Sequence, residues 1–287
     1  MPSVRQIRRR IRSVQNTGKL TKAMEMVAAA KMRRAQTDVL AARPYASKME
    51  NLLAHLAAMA LTDSSELHPL LQTRPVKRIA IIQITPDRGM CGGLVANINR
   101  RTGSFIVGQE VPATIVTVGN KGRDFMARTS RELRASFDGL GDRPKLIDTT
   151  AVSRIVVEDF SSGECDAAFL AYTEFVNTVI QRPVVKQLLP VEPAELSPSE
   201  MSGYIYEPRQ VELMGSLLPR IVEMQVYSSI LESNASEQSA RMIAMRNATD
   251  SANDLVKELT LQANKARQAT ITAELLDIIG GSMTFEN

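Results

Sequence analysis

Near the start of the chain, apolar residues recur at a 3-4-3 spacing: Val4, Ile7, Ile11 and Val14. That is the seam of a coiled coil. The stripe continues less strictly through Leu20, Met24, Val27 and Met32. The pattern predicts a helix from about Ser3 to Leu61 with Ser3 as its N-cap. Pro44 removes one backbone hydrogen bond, so it either bends this helix or ends it and starts a second. Beyond it, Met49, Leu52, Leu53, Leu56 and Met59 carry the apolar face onward.

The other end of the chain repeats the theme. From Ile221 a 3-4 count runs without a stutter through Met224, Ser228, Leu231, Ala235, Gln238, Met242, Met245, Thr249, Ala252, Val256, Leu259, Ala263 and Ala266. A seven-residue repeat held this long predicts a left-handed supercoil. Its seam is rich in small and polar residues, where a permanent zipper would prefer Leu, Ile and Val. The helix is expected from about Gln210, with Pro219 marking a kink or a late first turn. At about 1.5 Å per residue, ~65 residues span roughly 100 Å. A domain of this size is only about 40 Å across. The two ends are therefore expected to project and to pack on each other or on a partner.

Between the ends, short β-type runs alternate with helical ones. Arg78–Ile84, Thr114–Val118, Ala135–Phe137, Ala167–Tyr172 and Val184–Leu189 read as strands. Helices are expected over Leu94–Ile106, Arg123–Thr129 and Ala151–Phe160. The fold class is α/β: a long antiparallel coiled coil of the N- and C-terminal helices plus a central open α/β (Rossmann-like) domain. The expected division is 1–61 as the first helix of the coiled coil and 76–190 as the α/β body. Residues 191–209 form a Pro-, Ser- and Glu-rich linker, and 210–287 form the second helix.

Charge sharpens this picture. Residues 1–43 hold eleven Lys and Arg against only Glu25 and Asp38, a net +9, in a chain whose total is +4. The remainder therefore carries −5. A basic helix implies an acidic protein surface, a phosphate backbone or an anionic membrane face. Here the charges rim an apolar stripe, which favours docking to protein. Aromatics are 4% of the chain and Trp is absent, so the interleaved aromatics of single-strand nucleic-acid binders are missing. No apolar run reaches the length of a membrane span, and the N-terminus is too basic for a secretion signal.

Candidate chemistry is sparse. Cys91 and Cys165 are expected as reduced thiols. Two histidines, His55 and His68, leave little for a metal site or for His-based acid–base catalysis. The turn Asp87-Arg88-Gly89-Met90-Cys91-Gly92-Gly93 lies where an α/β protein binds phosphate. It matches neither the dinucleotide spacing nor a P-loop, so its glycines are read first as tight-turn residues. Gly119-Asn120-Lys121-Gly122 reads as a second turn. Two other classes stay open at this point: an α/β nucleotide-binding enzyme with helical arms, and a basic coiled-coil binder of nucleic acid.

The motifs at the two ends resemble one family, the gamma subunit of F-type ATP synthase. They are Ile7–Thr17, Lys19–Ala30 (KLTKAMEMVAAA) with Lys31-Met32-Arg33, Ala240–Asp250, Ala252–Leu259, and Asn264–Thr272 (NKARQATIT) with Glu274. Asp87-Arg88-Gly89, Cys91-Gly92-Gly93-Leu94 and Tyr204-Ile205-Tyr206-Glu207-Pro208 are similar to its internal motifs. Met90 and Val95 depart from the family pattern. The resemblance implies a non-catalytic rotor without cofactor. It would stand in a hexamer of alpha and beta subunits, with the epsilon subunit and the membrane c-ring below. By the same resemblance, Met24, Arg241, Arg267, Gln268 and Thr272 meet beta subunits. Lys31, Arg33, Arg34, Arg43, Tyr45, Tyr204, Tyr206 and Glu207 face epsilon or the c-ring, and Gly280 and Gly281 lie near the tip. It further implies a bacterial protein on the cytoplasmic side of the cell membrane, without the dithiol insert of the chloroplast type.

Overall fold

The computed structural model describes residues 3–60, 68–129, 132–191 and 210–285. Helix α1 runs Val4–Ala60. Ser3 opens it with a reciprocal cap: Gln6 N donates to Ser3 Oγ at 3.3 Å, and Ser3 N donates to Gln6 Oε1 at 3.0 Å. These bonds occupy amides that the first turn leaves without helical partners. Pro44 lies inside α1 and does not end it. The chain then forms β1 (Ile79–Ile84), α2 (Leu94–Gln109), β2 (Ala113–Val118), α3 (Asn120–Arg128), β3 (Glu132–Phe137), α4 (Leu146–Ser161), β4 (Ala167–Phe175), β5 (Gln181–Leu189) and α5 (Gln210–Phe285). Pro219 sits well inside α5, so it marks no late first turn. Nearly all of the expected linker lies outside the described residues.

Two compact units emerge: residues 28–241, and residues 1–27 with 242–287. In the first, the five strands form one sheet in the order β3-β2-β1-β4-β5. The first four are parallel, and β5 runs antiparallel to β4 at the edge. Pro183 is tolerated in β5 because an edge strand can spare an N–H. All six residues of β1 are buried, as expected of a parallel strand covered on both faces.

Alternation along the strands divides the core. Ile79, Ile81, Ile115 and Ala171 face Ile98 and Ile106 of α2 and Met126 of α3. Ile82, Val116, Leu170 and Tyr172 belong to the other cluster, with Val152, Val156 and Phe160 of α4 and Leu218, Ile221, Val222 and Val226 of α5. Burying each such large apolar side chain contributes ~1.5–3 kcal/mol. A third cluster joins Ala35 and Val39 of α1 to Leu231 and Ala235 of α5 and to Phe175.

The expected turn at Gly119–Gly122 is instead the entry to α3. Gly119 is its N-cap, with φ +94°, and Asn120, Lys121 and Gly122 are already helical. Both glycines are needed for close packing on Thr85. A Cβ on Gly119 would lie 1.9 Å from Thr85 O, and one on Gly122 would lie 2.8 Å from Thr85 Oγ1.

In the second unit the two chain ends pair antiparallel. Ile7 packs with Leu259 and Ala263, and Gly18 opposes Ala252. Thr21 and Thr249 share a hydroxyl hydrogen bond of 2.8 Å. The expected continuation through Leu20, Met24 and Val27 is wrong in this stretch. Leu20 and Val27 are 61% and 55% exposed, and Met24 is only half-buried. The strict 3-4 count runs instead through Gly18, Thr21 and Glu25, and in the other unit through Ala28, Met32, Ala35 and Val39. Apolarity misled because the helices here approach too closely for large side chains.

The α5 seam is as counted. Met242, Met245, Thr249, Ala252, Leu259 and Ala263 are buried in this unit, with Val256 and Ala266 half-buried.

Candidate functional site

Three places carry the unusual side chains. The first is a polar layer in the paired chain ends. Glu25 is buried on the seam yet accepts from Arg246 Nε at 3.1 Å and from Lys22 Nζ at 2.9 Å. The hydrogen bonds from Lys22 and Arg246 hold its carboxyl below the usual value of 4.5, against the opposing effect of burial. Next to it in the count come the Thr21–Thr249 bond and the Gly18–Ala252 contact. A polar group at a seam position fixes register at some expense of adhesion. Counting positions rather than apolar residues from Val4 would have found this layer.

The second is the turn after β1. Asp87 accepts from Asn120 N at 3.0 Å and from Gly139 N at 3.1 Å. The N-terminus of α3, a natural anion site, is thus occupied by the protein's own carboxylate. Met90 takes a left-handed conformation, φ 64°, and its side chain is exposed. Arg241 holds this turn to α5 by donating to Arg88 O at 3.3 Å and Gly89 O at 3.2 Å, while it pairs with Glu237 at 2.7 Å. Burial pushes the Glu237 carboxyl up, with Arg241 opposing. The turn is filled by internal contacts, which leaves the nucleotide-binding reading without a site there.

The third is the end of α5. Every residue from Arg267 to Leu276 is exposed, among them Ile271, Leu275 and Leu276 at 48%, 53% and 63%. Among the described residues the seam is buried as far as Ala263 and half-buried at Ala266.

The sequence-derived candidates distribute as follows. Arg267, Gln268 and Thr272 lie exposed on this last stretch; Thr272 Oγ1 donates back to Gln268 O. Arg241 is only 12% exposed in its side chain, engaged as above. Lys31 pairs with Asp142 at 2.7 Å, and Arg33 and Arg34 are exposed. Arg43 is 3.7 Å from Glu232 and donates to Phe175 O at 3.1 Å. Tyr45 is exposed. Tyr204, Tyr206 and Glu207 lie outside the described residues, and Gly280 and Gly281 lie within α5.

Among the described residues no cluster of His, Cys, Asp and Glu could hold a metal ion. Cys91 and Cys165 are free and buried. Burial raises both thiols, Cys165 to about 12, so neither is a ready nucleophile.

Fold and surface together define a class: an α/β unit with paired terminal helices whose far end exposes apolar side chains. A family model described as ATP synthase matches residues 3–284. The "ATP synthase gamma chain" of Dehalococcoides mccartyi is 60% identical over 98% of this chain and 99% of its own. That of Chloroflexus aurantiacus is 50% identical over 98% of each. A chain from the Euglena gracilis mitochondrial ATP synthase has the same fold, with a TM-score of 0.67 at 19% identity over 98% of this chain and 94% of that one. A chain of the Tetrahymena thermophila central stalk/c-ring structure gives 0.62 at 23% over 80% and 99%. The chain belongs to the ATP synthase gamma-chain family, as the terminal motifs led us to expect.

Proposed function

We propose that this chain is the central-stalk rotor of an F-type ATP synthase, a subunit that makes and breaks no bond itself. The observation that carries the reading is 60% identity to an ATP synthase gamma chain across nearly the full length of both proteins. Proton flow turns the membrane c-ring, the ring turns this chain, and its asymmetry drives the beta subunits through their conformational cycle. The chain thereby also regulates proton flow through the complex.

The chemistry described above supports this role. The paired ends enter the cavity of an alpha–beta hexamer. A seam of Gly, Ala and Thr keeps the pair narrow, and the apolar residues beyond Ala266 gain a protein environment there. Arg267, Gln268 and Thr272, with Met24, meet beta subunits. Arg241 is the least available of that set, since it must leave Glu237 and the turn carbonyls to do so. Lys31, Arg33, Arg34, Arg43, Tyr45, Tyr204, Tyr206 and Glu207 face the epsilon subunit or the c-ring. Functionally the chain divides into 1–61 and 210–287 as the axle, 76–190 as the body and 191–209 as the linker. It is peripheral to the membrane, on the cytoplasmic face of a bacterial cell membrane.

A pull-down of the tagged chain from its own cell, read by mass spectrometry, tests this. Alpha, beta and epsilon subunits should appear together. Recovery as a stable monomer without them would contradict it.

A further inference from the structure

The loop between β3 and α4, residues 138–143, bridges the two long helices of the α/β unit. Its base is tied to the unit itself. Gly139 N donates to Asp87 Oδ2 at 3.1 Å, and Asp138 pairs with Arg123 of α3 at 3.3 Å. Its far side reaches α1. Arg143 donates to both oxygens of Asp38, at 3.0 and 2.8 Å, and Lys31 Nζ is 2.7 Å from Asp142 Oδ2. Lys31 and Asp38 lie two turns apart on one face of α1, a span of about 10 Å. The same Asp142 also meets α5. Asn234 Nδ2 donates to its carbonyl at 2.6 Å, and Gln238 Nε2 stands 3.5 Å from its Oδ1. One loop residue thus joins both helices.

The direct contact of α1 with α5 in this unit is of another kind. Ala35 and Val39 pack with Leu231, Ala235 and Phe175. Apolar contact has no preferred direction, and small side chains leave shallow ridges and grooves. Such a contact lets one helix slide or turn on the other. Among the described residues of this unit, the ion pair that joins the two helices directly is Arg43 with Glu232, at 3.7 Å. That is beyond hydrogen-bonding distance, and Arg43 instead donates to Phe175 O at the end of β4. The short, directional bonds between α1 and α5 therefore run through the loop.

We propose that the 138–143 loop is a clasp that locks α1 in register with α5, with Asp142 and Arg143 as its positioning residues. The proposal rests on the rotor reading and deepens it. A twist entering through the α/β unit passes to both helices together and is not lost as slip between them. The bidentate pair suits this task, because two parallel bonds from a planar guanidinium fix orientation as well as distance. Arg143 and Asp142 are 65% and 50% exposed in their side chains. Exposed ion pairs add little to stability, so the clasp governs register far more than melting.

The test uses the chain assembled into its complex in vesicles, with nitroxide labels on Thr37→Cys of α1 and Arg220→Cys of α5. Both positions are exposed, and Cys91 and Cys165 are buried. Pulsed electron–electron resonance should give one narrow distance distribution for the otherwise wild-type chain. In Asp142→Asn with Arg143→Gln the distribution should shift or broaden by about 1.5 Å or more, the rise of one helical residue. ATP hydrolysis and melting temperature should stay near wild type, while protons pumped per ATP fall about twofold or more. Arg143→Gln alone is the milder variant and should move both readouts the same way. Exchanging the charges, Asp38→Arg with Arg143→Asp, should restore the narrow distribution and the pumping. The clasp is overturned if the distributions of variant and wild type superimpose. It is equally overturned if they differ while pumping per ATP is undiminished. Hydrolysis without pumping by the wild-type complex would instead sink the rotor reading, and the distance measurement would still decide whether the loop sets register.

Discussion

Glu25 occupies a seam position that an adhesive zipper would give to leucine. Its two hydrogen bonds, from Lys22 and Arg246, favour the ionised form and lower its pKa below the ordinary 4.5. A carboxyl depressed in the folded state contributes stability that is present above its unfolded pKa and lost as pH falls through the folded one. The melting temperature of the full chain should therefore drop on acidification through the carboxylate range. Glu25→Gln should flatten part of that drop; parallel acid curves for the two proteins would contradict the role given to this residue. Gly18 permits a sharper test. A Cβ there would lie 3.4 Å from Ala252 Cβ, an ordinary contact. Gly18→Ala should thus be neutral or gain up to ~1 kcal/mol from helix propensity. Gly18→Leu should cost about 1–3 kcal/mol by forcing the helices apart. Urea unfolding of both variants measures the difference. These residues were the least legible in the sequence. Leu20 and Val27 advertise a buried face, but in a pair this close the inner positions belong to Gly18, Thr21 and Glu25.

At the scale of elements, glycine and arginine fix how the first unit's pieces join. Gly122→Ala would place a Cβ 2.8 Å from Thr85 Oγ1 and 2.9 Å from Thr85 Cγ2. Thr85 is buried and donates its hydroxyl to backbone carbonyls, so it cannot swing away freely. A loss of about 1–3 kcal/mol is expected in chemical denaturation. Arg241→Met removes the clamp between α5 and the turn after β1 and strands Glu237 in a largely buried site. Removing one partner of a buried ion pair typically costs about 3–5 kcal/mol, and the same denaturation measurement checks it. Most elements were legible: β1, β2 and β4 are apolar runs bounded by turn residues, and α5 is a long uninterrupted 3-4 count. The misreadings have physical causes. Gly119-Asn120-Lys121-Gly122 looks like a turn because glycine usually breaks helices, but here two glycines let α3 begin directly against Thr85. Pro44 could have ended its helix and Pro219 could have marked a late first turn, yet both lie inside long helices, which can lose one backbone bond and continue.

For the whole molecule, function was legible mainly as resemblance. Two long basic or small-residue helices say that a partner is needed; only the terminal motifs and the kinship with ATP synthase gamma chains say which one. The surfaces we propose for partners lie in side chains such as Arg267 and Gln268, which are exposed and so leave no periodic trace of burial. The chain's two thiols are buried, while Ile147 is 74% exposed on α4, so Ile147→Cys offers an accessible point for a probe. With the labelled chain assembled into its complex and the alpha–beta hexamer fixed to a surface, addition of ATP should turn the probe in one direction in discrete steps. ATP hydrolysis at an undiminished rate with a stationary probe would contradict the account.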